Sequence, residues 1–216
     1  MNLTKLFATQ AALDEHIMQE HPELRGQNNL DWKLLALQVE LGECANEWRG
    51  FKKWSKDQEP RVYVPNPKDP CEECNGKGYF DTHKRLKDWI FCENCDGCGY
   101  HFYNPLLEEY VDCLHFILSI GLELGAHNWM KLNQYPVPDE NGSITLQFLD
   151  VHSKTLKVGE EIIRMELEPK EIRNMFTKAF ESFLQLGTIL SFTQEQVEEA
   201  YYAKNKVNHE RQLTGY

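Results

Sequence analysis

The sequence predicts an all-α protein, a helical bundle with a small cysteine-rich module inserted into it. Several long stretches of the 216-residue chain carry apolar residues three and four positions apart, the spacing that places them on one face of a helix. A chain of this length can bury one sizeable core. The helical pattern is interrupted between Pro60 and Tyr103 by prolines, glycines and five cysteines. We therefore predict a helical domain formed by residues 1–60 and 104–216, with residues 61–103 as an inserted zinc-binding module.

Capping residues indicate where the individual helices begin. Asp31 is expected to cap the second helix, which would start at Trp32. Pro105 suits the first turn of the third helix, and Thr193 with Gln196 has the form of a capping box that opens the last one. The predicted helices span about residues 3–20, 32–50, 105–124, 145–167, 170–191 and 194–207.

The second and third helices each carry an acidic motif beside an apolar stripe. At 100° per residue, Glu43 and Glu47 fall within about 60° of Glu40, so all three border the buried face of the second helix. Glu109 and Asp112 border the stripe of the third helix in the same way. If the two helices pack stripe to stripe, the carboxylates of Glu40, Glu43, Glu109 and Asp112 converge on one pocket.

Four converging carboxylates predict a magnesium site. Partly buried carboxylates repel one another and resist desolvation, so such a cluster persists when a cation fills it. Mg²⁺ prefers oxygen ligands and commonly completes its coordination shell with water and substrate phosphates. One ExxE motif alone is typical of a solvated helix face, and the second matched motif is what favours a metal site. Glu40 is our candidate for orienting or deprotonating the attacking water, with Glu43 and Glu47 as alternatives.

Two copies of the pattern CxxCxGxG, at 71–78 and 92–99, form the centre of the inserted segment. Each CxxC turn directs two thiolates at one point, and the glycines that follow let the backbone approach the sulfurs. A closed site of four cysteines has no open coordination position, so we predict a structural Zn²⁺ rather than a catalytic one. The predicted ligands are Cys71, Cys74, Cys92 and Cys95, and one of Cys98, His83 and His101 could replace one of them.

The C-terminal segment carries a polar and cationic face. Lys204, Asn208 and Arg211 lie at i, i+4 and i+7, within about 60° of one another on a helix, with Gln212 and Tyr216 behind them. Taken alone, this pattern is typical of a solvated terminal helix. Opposite a carboxylate and metal cluster it would also suit a triphosphate, because ammonium and guanidinium groups bind phosphate oxygens.

These motifs together resemble a known enzyme family. Glu40-x-x-Glu43 followed by Glu109-x-x-Asp112 resembles the metal signature of the all-α NTP pyrophosphatase superfamily. The sequence around these motifs resembles the dimeric dUTPases of bacteria and phages within that superfamily. The C-terminal stretch from Lys204 to Tyr216 is similar to the phosphate-binding motif of that branch. One departure is the gap of 65 residues between Glu43 and Glu109, longer than is usual in the family. The inserted module, which resembles the zinc-binding module of DnaJ chaperones with two of its four repeats, accounts for the extra length.

The resemblance implies an activity and a set of substrate contacts. It implies magnesium-dependent hydrolysis of dUTP, and of dUDP, to dUMP by attack at the β-phosphorus, in a homodimer. It places Gln10 near the uracil and Trp54 over the base. It also implies that Lys204, Asn208, Arg211 and Tyr216 bind the phosphates.

Composition limits the alternatives to this interpretation. The formal net charge of −11 argues against nonspecific binding of nucleic acid, which favours a basic face. The sequence shows neither a membrane-length apolar run nor the layout of a signal peptide, so we expect a cytoplasmic protein. Two alternative functions remain: a related pyrophosphatase for another base, such as dCTP, and a non-catalytic zinc adaptor that binds nucleic acid or protein through residues 61–103.

Overall fold

The computed structural model describes residues 1–81, 89–131, 135–137, 142–164 and 168–215. The all-α prediction is confirmed, because six helices form most of this part of the chain and the strands belong only to small sheets in the cysteine-rich segment. None of these helices is both long and apolar enough to span a membrane. The helices are α1 (Leu3–Glu20), α2 (Leu30–Trp48), α3 (Pro105–Glu123), α4 (Ile144–Arg164), α5 (Pro169–Ile189) and α6 (Gln194–Thr214).

Helix α3 is the centre of the bundle. It contacts α1, α2, α5 and α6, and most of its residues are buried. Its apolar stripe faces the stripe of α2, and Tyr110, Cys113 and Ile117 share one core cluster with Leu37 and Leu41. The close packing requires a small residue at Gly187 of α5, because a Cβ there would lie 2.4 Å from the Tyr110 hydroxyl. Helices α2 and α3 therefore meet stripe to stripe, as the sequence predicts.

The ends of α2 and α6 differ from the predictions. Asp31 is not the cap of α2, because the helix begins at Leu30, two residues earlier than predicted, and the carboxylate of Asp31 accepts the backbone N–H of Trp32 within the first turn. The same helix ends at Trp48, since Arg49 adopts a left-handed φ of 64°. Helix α6 runs beyond residue 207 to Thr214, where Gly215 with a φ of 71° ends it. The longer α6 keeps the whole C-terminal cationic face helical.

The cysteine-rich segment forms two small antiparallel sheets between α2 and α3. Strand β1 (Val64–Pro70) pairs with β4 (Tyr100–Tyr103), and β2 (Tyr79–Asp81) pairs with β3 (Trp89–Phe91). The base of the segment is tied to the helices through Arg61, whose N–H donates to the carbonyl of Glu47 and whose carbonyl accepts the N–H of Leu106, both at 3.1 Å. The entry and exit of the segment therefore lie side by side at adjacent ends of α2 and α3.

Candidate active site and metal centres

Three of the four predicted magnesium ligands converge. One carboxylate oxygen each from Glu40, Glu43 and Glu109 lies within 4.8 Å of the others. Glu40 and Glu43 come from α2 and Glu109 from α3, so the cluster exists because the two apolar stripes pack together. Oxygen atoms at this spacing are suited to one small divalent cation.

The charges of the cluster are unfavourable without a cation. Burial, together with the charges of Asp112 and Glu43, raises the pKa of Glu40 to about 7. Burial likewise raises the pKa of Glu109 to about 7, with Asp112, Glu43 and Glu40 as the repelling charges. A divalent cation would displace these protons, because it stabilises the charged form of each carboxylate. The residues present therefore fit a hard cation such as Mg²⁺.

Asp112, the fourth predicted ligand, is placed beside the cluster but is bound to Lys204. The Nζ atom of Lys204 lies 2.7 Å from Oδ2 of Asp112 and 2.7 Å from Oε1 of Glu108. Burial raises the pKa of Asp112, while the Lys204 ammonium acts in the opposite direction. The described structure thus has three convergent carboxylates and a fourth that is paired with a lysine.

Glu47 lies on the same face of α2 but has a different partner. The guanidinium of Arg61 donates to both of its carboxylate oxygens, at 3.2 and 3.4 Å. Glu47 therefore fixes the base of the cysteine-rich segment and does not join the group of three carboxylates. This placement disfavours Glu47 among the candidates for activating water.

A cavity of about 330 Å³ lies next to the acidic cluster, between α1, α2, α3 and α6. Glu40 and Asp112 line it, and so do Asn208 and Arg211 from the predicted phosphate-binding face. Carboxylates and a guanidinium therefore border one cavity. The full lining is Gln10, Leu13, Asp14, Ile17, Met18, Trp32, Lys33, Glu40, Asp112, His115, Phe116, Ser119, Asn208, Arg211 and Gln212.

Two predicted substrate-binding residues that the structure describes, Trp54 and Lys204, do not line this cavity. Trp54 is 78% exposed and does not line the cavity; its ring contacts the edge of Phe51, with ring centres 5.8 Å apart. Tyr216 lies outside the described residues. The cavity wall therefore lacks the aromatic contact predicted for Trp54.

Gln10 lies on the cavity wall in a buried hydrogen-bond network. Its Oε1 accepts a hydrogen bond of 2.9 Å from the Tyr201 hydroxyl and lies 2.8 Å from Nδ1 of His115, while its Nε2 donates to Asp14 at 2.7 Å. Burial lowers the pKa of His115 to about 3, so the imidazole is neutral at pH 7 and Nδ1 carries the proton that faces Gln10. The Ser119 hydroxyl completes the network with a hydrogen bond of 2.6 Å to Asp14. The amide orientation of Gln10 is therefore fixed from three sides.

Sequence reasoning missed a second buried charge network in this cavity. Lys33 is only 3% exposed, and its ammonium lies 2.6 Å from Oε1 of Glu123 and 3.6 Å from Oδ2 of Asp14. The i, i+4 spacing of Gln10 and Asp14 on α1 is a weak sequence signal for such a network. The partners on α2 and α3 are distant in the sequence, and no local pattern pairs them.

The four predicted zinc ligands form a compact group. The sulfur atoms of Cys71, Cys74, Cys92 and Cys95 lie within 4.8 Å of one another, and all four residues are buried. The Cys71–Cys92 and Cys74–Cys95 sulfur pairs are both 3.8 Å apart. A tetrahedron with Zn–S bonds of about 2.3 Å has edges of about 3.8 Å, so these distances fit zinc.

The glycines of the two CxxCxGxG turns have a direct structural role. The N–H groups of Gly78 and Gly99 donate to the sulfurs of Cys74 and Cys95, each at 3.2 Å. A Cβ on Gly78 would lie 2.2 Å from the carbonyl oxygen of Gly97, so the two turns can approach only without side chains there.

The alternative zinc ligands that the structure describes do not join the four clustered cysteines. The Cys98 sulfur contacts the Tyr100 carbonyl at 3.1 Å, outside the group of four. His101 is not in that group either, and His83 lies outside the described residues.

Comparison with known proteins agrees with this site. The model of a family described as dUTPase matches residues 2–64 and 102–216, which is most of the chain. The segment that the match leaves out, residues 65–101, contains all four clustered cysteines. A search of curated proteins finds no match. On the strength of the family match, the chain belongs to the dUTPase family of nucleotide hydrolases.

Proposed function

We propose that the protein hydrolyses dUTP, and dUDP, to dUMP in a magnesium-dependent reaction. The observation that carries this proposal is the cavity that Glu40 of the acidic cluster borders from α2 while Asn208 and Arg211 border it from α6. The family match supports the choice of a uracil nucleotide over other bases. The size of the cavity, about 330 Å³, suits a nucleoside.

Glu40, Glu43 and Glu109 are the residues proposed to hold Mg²⁺, with Asp112 as a further ligand. When bound, Mg²⁺ would lower the pKa of a coordinated water molecule and neutralise phosphate charge. Of the three clustered glutamates, only Glu40 also lines the cavity. We therefore propose that Glu40 orients or deprotonates the attacking water, with Glu43 as the alternative.

The C-terminal helix is proposed to bind the phosphates. Arg211 and Asn208 line the cavity from α6, and Lys204 lies on the same face near Asp112. A guanidinium can bind two phosphate oxygens at once, and an ammonium supplies a mobile point charge. Binding from α6 would hold the phosphate chain against the carboxylates of α2 and α3, and the wall that contains Gln10 would face the base.

Substrate choice provides the direct test. In a panel of dUTP, dCTP, dTTP and dATP, we expect pyrophosphate release to be fastest from dUTP and to stop when Mg²⁺ is removed with a chelator. Faster turnover of dCTP would contradict the assignment of uracil and favour a related pyrophosphatase. If no deoxynucleotide is hydrolysed with Mg²⁺ present, the protein is not an active hydrolase and the adaptor alternative gains support.

The cysteine-rich segment is proposed to be a zinc-stabilised insertion in the helical catalytic domain. Residues 1–60 and 104–216 would form that domain and residues 61–103 the insertion. The family match supports this division because it resumes on the far side of the segment. A structural site of four thiolates suits a reducing compartment, so we retain the cytoplasm as the proposed location.

We also propose that the protein is a homodimer that associates through an apolar face on α2 and α4. Leu35 and Val39 on α2 are 66% and 51% exposed. On the neighbouring α4, Leu146, Leu149 and Leu156 are 65%, 58% and 52% exposed. Large apolar side chains that cluster on adjacent helices are typical of an interaction surface. A second copy of the chain is the partner that the resemblance to dimeric dUTPases favours.

Replacing Leu149 with glutamate is expected to convert the dimer to a monomer, because the change places a charge in the proposed apolar interface. Light scattering coupled to size-exclusion chromatography would measure the mass. Leu213→Glu is the matched control: Leu213 is 75% exposed at the end of α6, a helix outside the proposed interface, and its replacement should leave the dimer intact. A wild-type protein that elutes as a monomer of 25.3 kDa would contradict the dimer proposal.

A further inference from the structure

Lys204 neutralises Asp112, the predicted magnesium ligand that lies outside the three-glutamate cluster. Its ammonium bridges the carboxylates of Asp112 and Glu108 at 2.7 Å each, and its side chain is 11% exposed. Asp112 is one helical turn beyond Glu109 and raises the pKa of both Glu109 and Glu40 by charge repulsion. An ammonium therefore neutralises the carboxylate that stands next to the three-glutamate cluster.

A divalent cation that took Oδ2 of Asp112 as a ligand would compete with Lys204 for that oxygen atom. Oδ2 of Asp112 accepts the Lys204 ammonium, and cation ligation through that oxygen would put two positive charges within contact of each other. A long lysine side chain can leave this position without moving its helix, because its stem has four rotatable bonds. Asn208 and Arg211, which line the cavity, lie one and two turns further along α6. A phosphate bound to them would be within reach of the released ammonium.

We propose that Lys204 is a positioning residue that makes the binding of a cation to Asp112 depend on the nucleotide. The inference rests on the proposed function, and it adds an order of events at that site. Without nucleotide, the three clustered glutamates are available to a cation while Asp112 is neutralised by Lys204. A bound polyphosphate draws the ammonium away, and Asp112 then becomes a cation ligand.

This arrangement has a functional consequence. Binding of the nucleotide strengthens the binding of a cation to Asp112, and the reverse also holds, because the same movement of Lys204 favours both. The complete set of carboxylates is assembled only when a phosphate chain is present. The site is therefore matched to substrates that carry several phosphates, and a nucleoside without them would leave Asp112 neutralised.

Counting bound Mn²⁺ by electron paramagnetic resonance tests the inference without measuring turnover. We expect nucleotide-free Lys204→Met to bind one more Mn²⁺ than the wild type, or the same number at least about fivefold more tightly, a coupling of ordinary size. Lys204→Arg keeps the positive charge and should match the wild type. Lys206→Met removes an exposed lysine from the same helix and should also match it.

A non-hydrolysable dUTP analogue supplies the second half of the test. The analogue should raise the number of bound Mn²⁺ ions, or the affinity of the protein for Mn²⁺, in the wild type. The increase should be much smaller in Lys204→Met. Equal Mn²⁺ binding by the wild type and Lys204→Met without nucleotide would overturn the inference. If the wild type binds no Mn²⁺ either with or without the analogue, the proposed metal site itself fails, which is a distinct result.

Discussion

Replacing Glu43 with glutamine is expected to reduce magnesium-dependent dUTP hydrolysis by about 10³-fold, because loss of a metal ligand removes several kcal/mol of transition-state stabilisation. Glutamine keeps the shape of the side chain and removes its charge. Glu43 is the exposed member of the three-glutamate cluster, so the change should leave the core of α2 and α3 intact. Steady-state pyrophosphate release, with circular dichroism to check the helices, measures both effects.

Glu47→Gln is the matched control for this substitution. Glu47 lies one turn beyond Glu43 on the same face of α2, but its carboxylate binds Arg61 rather than the cluster. We expect the control to retain most of the hydrolytic activity. If Glu47→Gln loses as much activity as Glu43→Gln, Glu47 takes part in the reaction and its exclusion from the catalytic site is wrong.

Local patterns in the sequence predict much of this site. Glu40 and Glu43 are close because a helix turns 100° per residue, and Cys71 and Cys74 are close because a CxxC turn is short. The pairing of α2 with α3 follows from their apolar stripes. Each of these relations is fixed within one element or by matching two simple faces, so periodicity and spacing are sufficient to find it.

Contacts between residues far apart in the chain could not be predicted in the same way. Lys204 is 96 residues from Glu108, and the Tyr201 hydroxyl reaches Gln10 across 191 residues. Whether Lys204 faces a phosphate or a carboxylate depends on how α6 packs against α3, which no motif encodes. The error at Asp31 is smaller in scale: several side chains near the start of α2 can serve as a cap, and the helix begins two residues earlier than expected.

Removal of the zinc ligands is expected to unfold the cysteine-rich segment and leave the helical core folded. A structural zinc site contributes on the order of 10 kcal/mol to the folding of a small domain. The segment has little else to hold it, because the described core cluster around its cysteines contains only those residues and Cys98. In the double variant Cys92→Ser/Cys95→Ser we expect loss of bound zinc and rapid proteolysis within residues 65–101. Zinc content and limited proteolysis followed by mass spectrometry measure this.

The same variant separates the two classes of function considered for this chain. The acidic cluster and its cavity are formed by helices outside the segment, and Arg61 secures the base of the segment independently of the zinc ligands. Most of the dUTP turnover should therefore remain after zinc is lost. Cys98→Ser is the control, because the Cys98 sulfur lies outside the group of four and its loss should leave the zinc content unchanged. If helical content survives in the double variant but hydrolysis disappears, the segment acts on the catalytic site, and its role as a purely structural insertion is refuted.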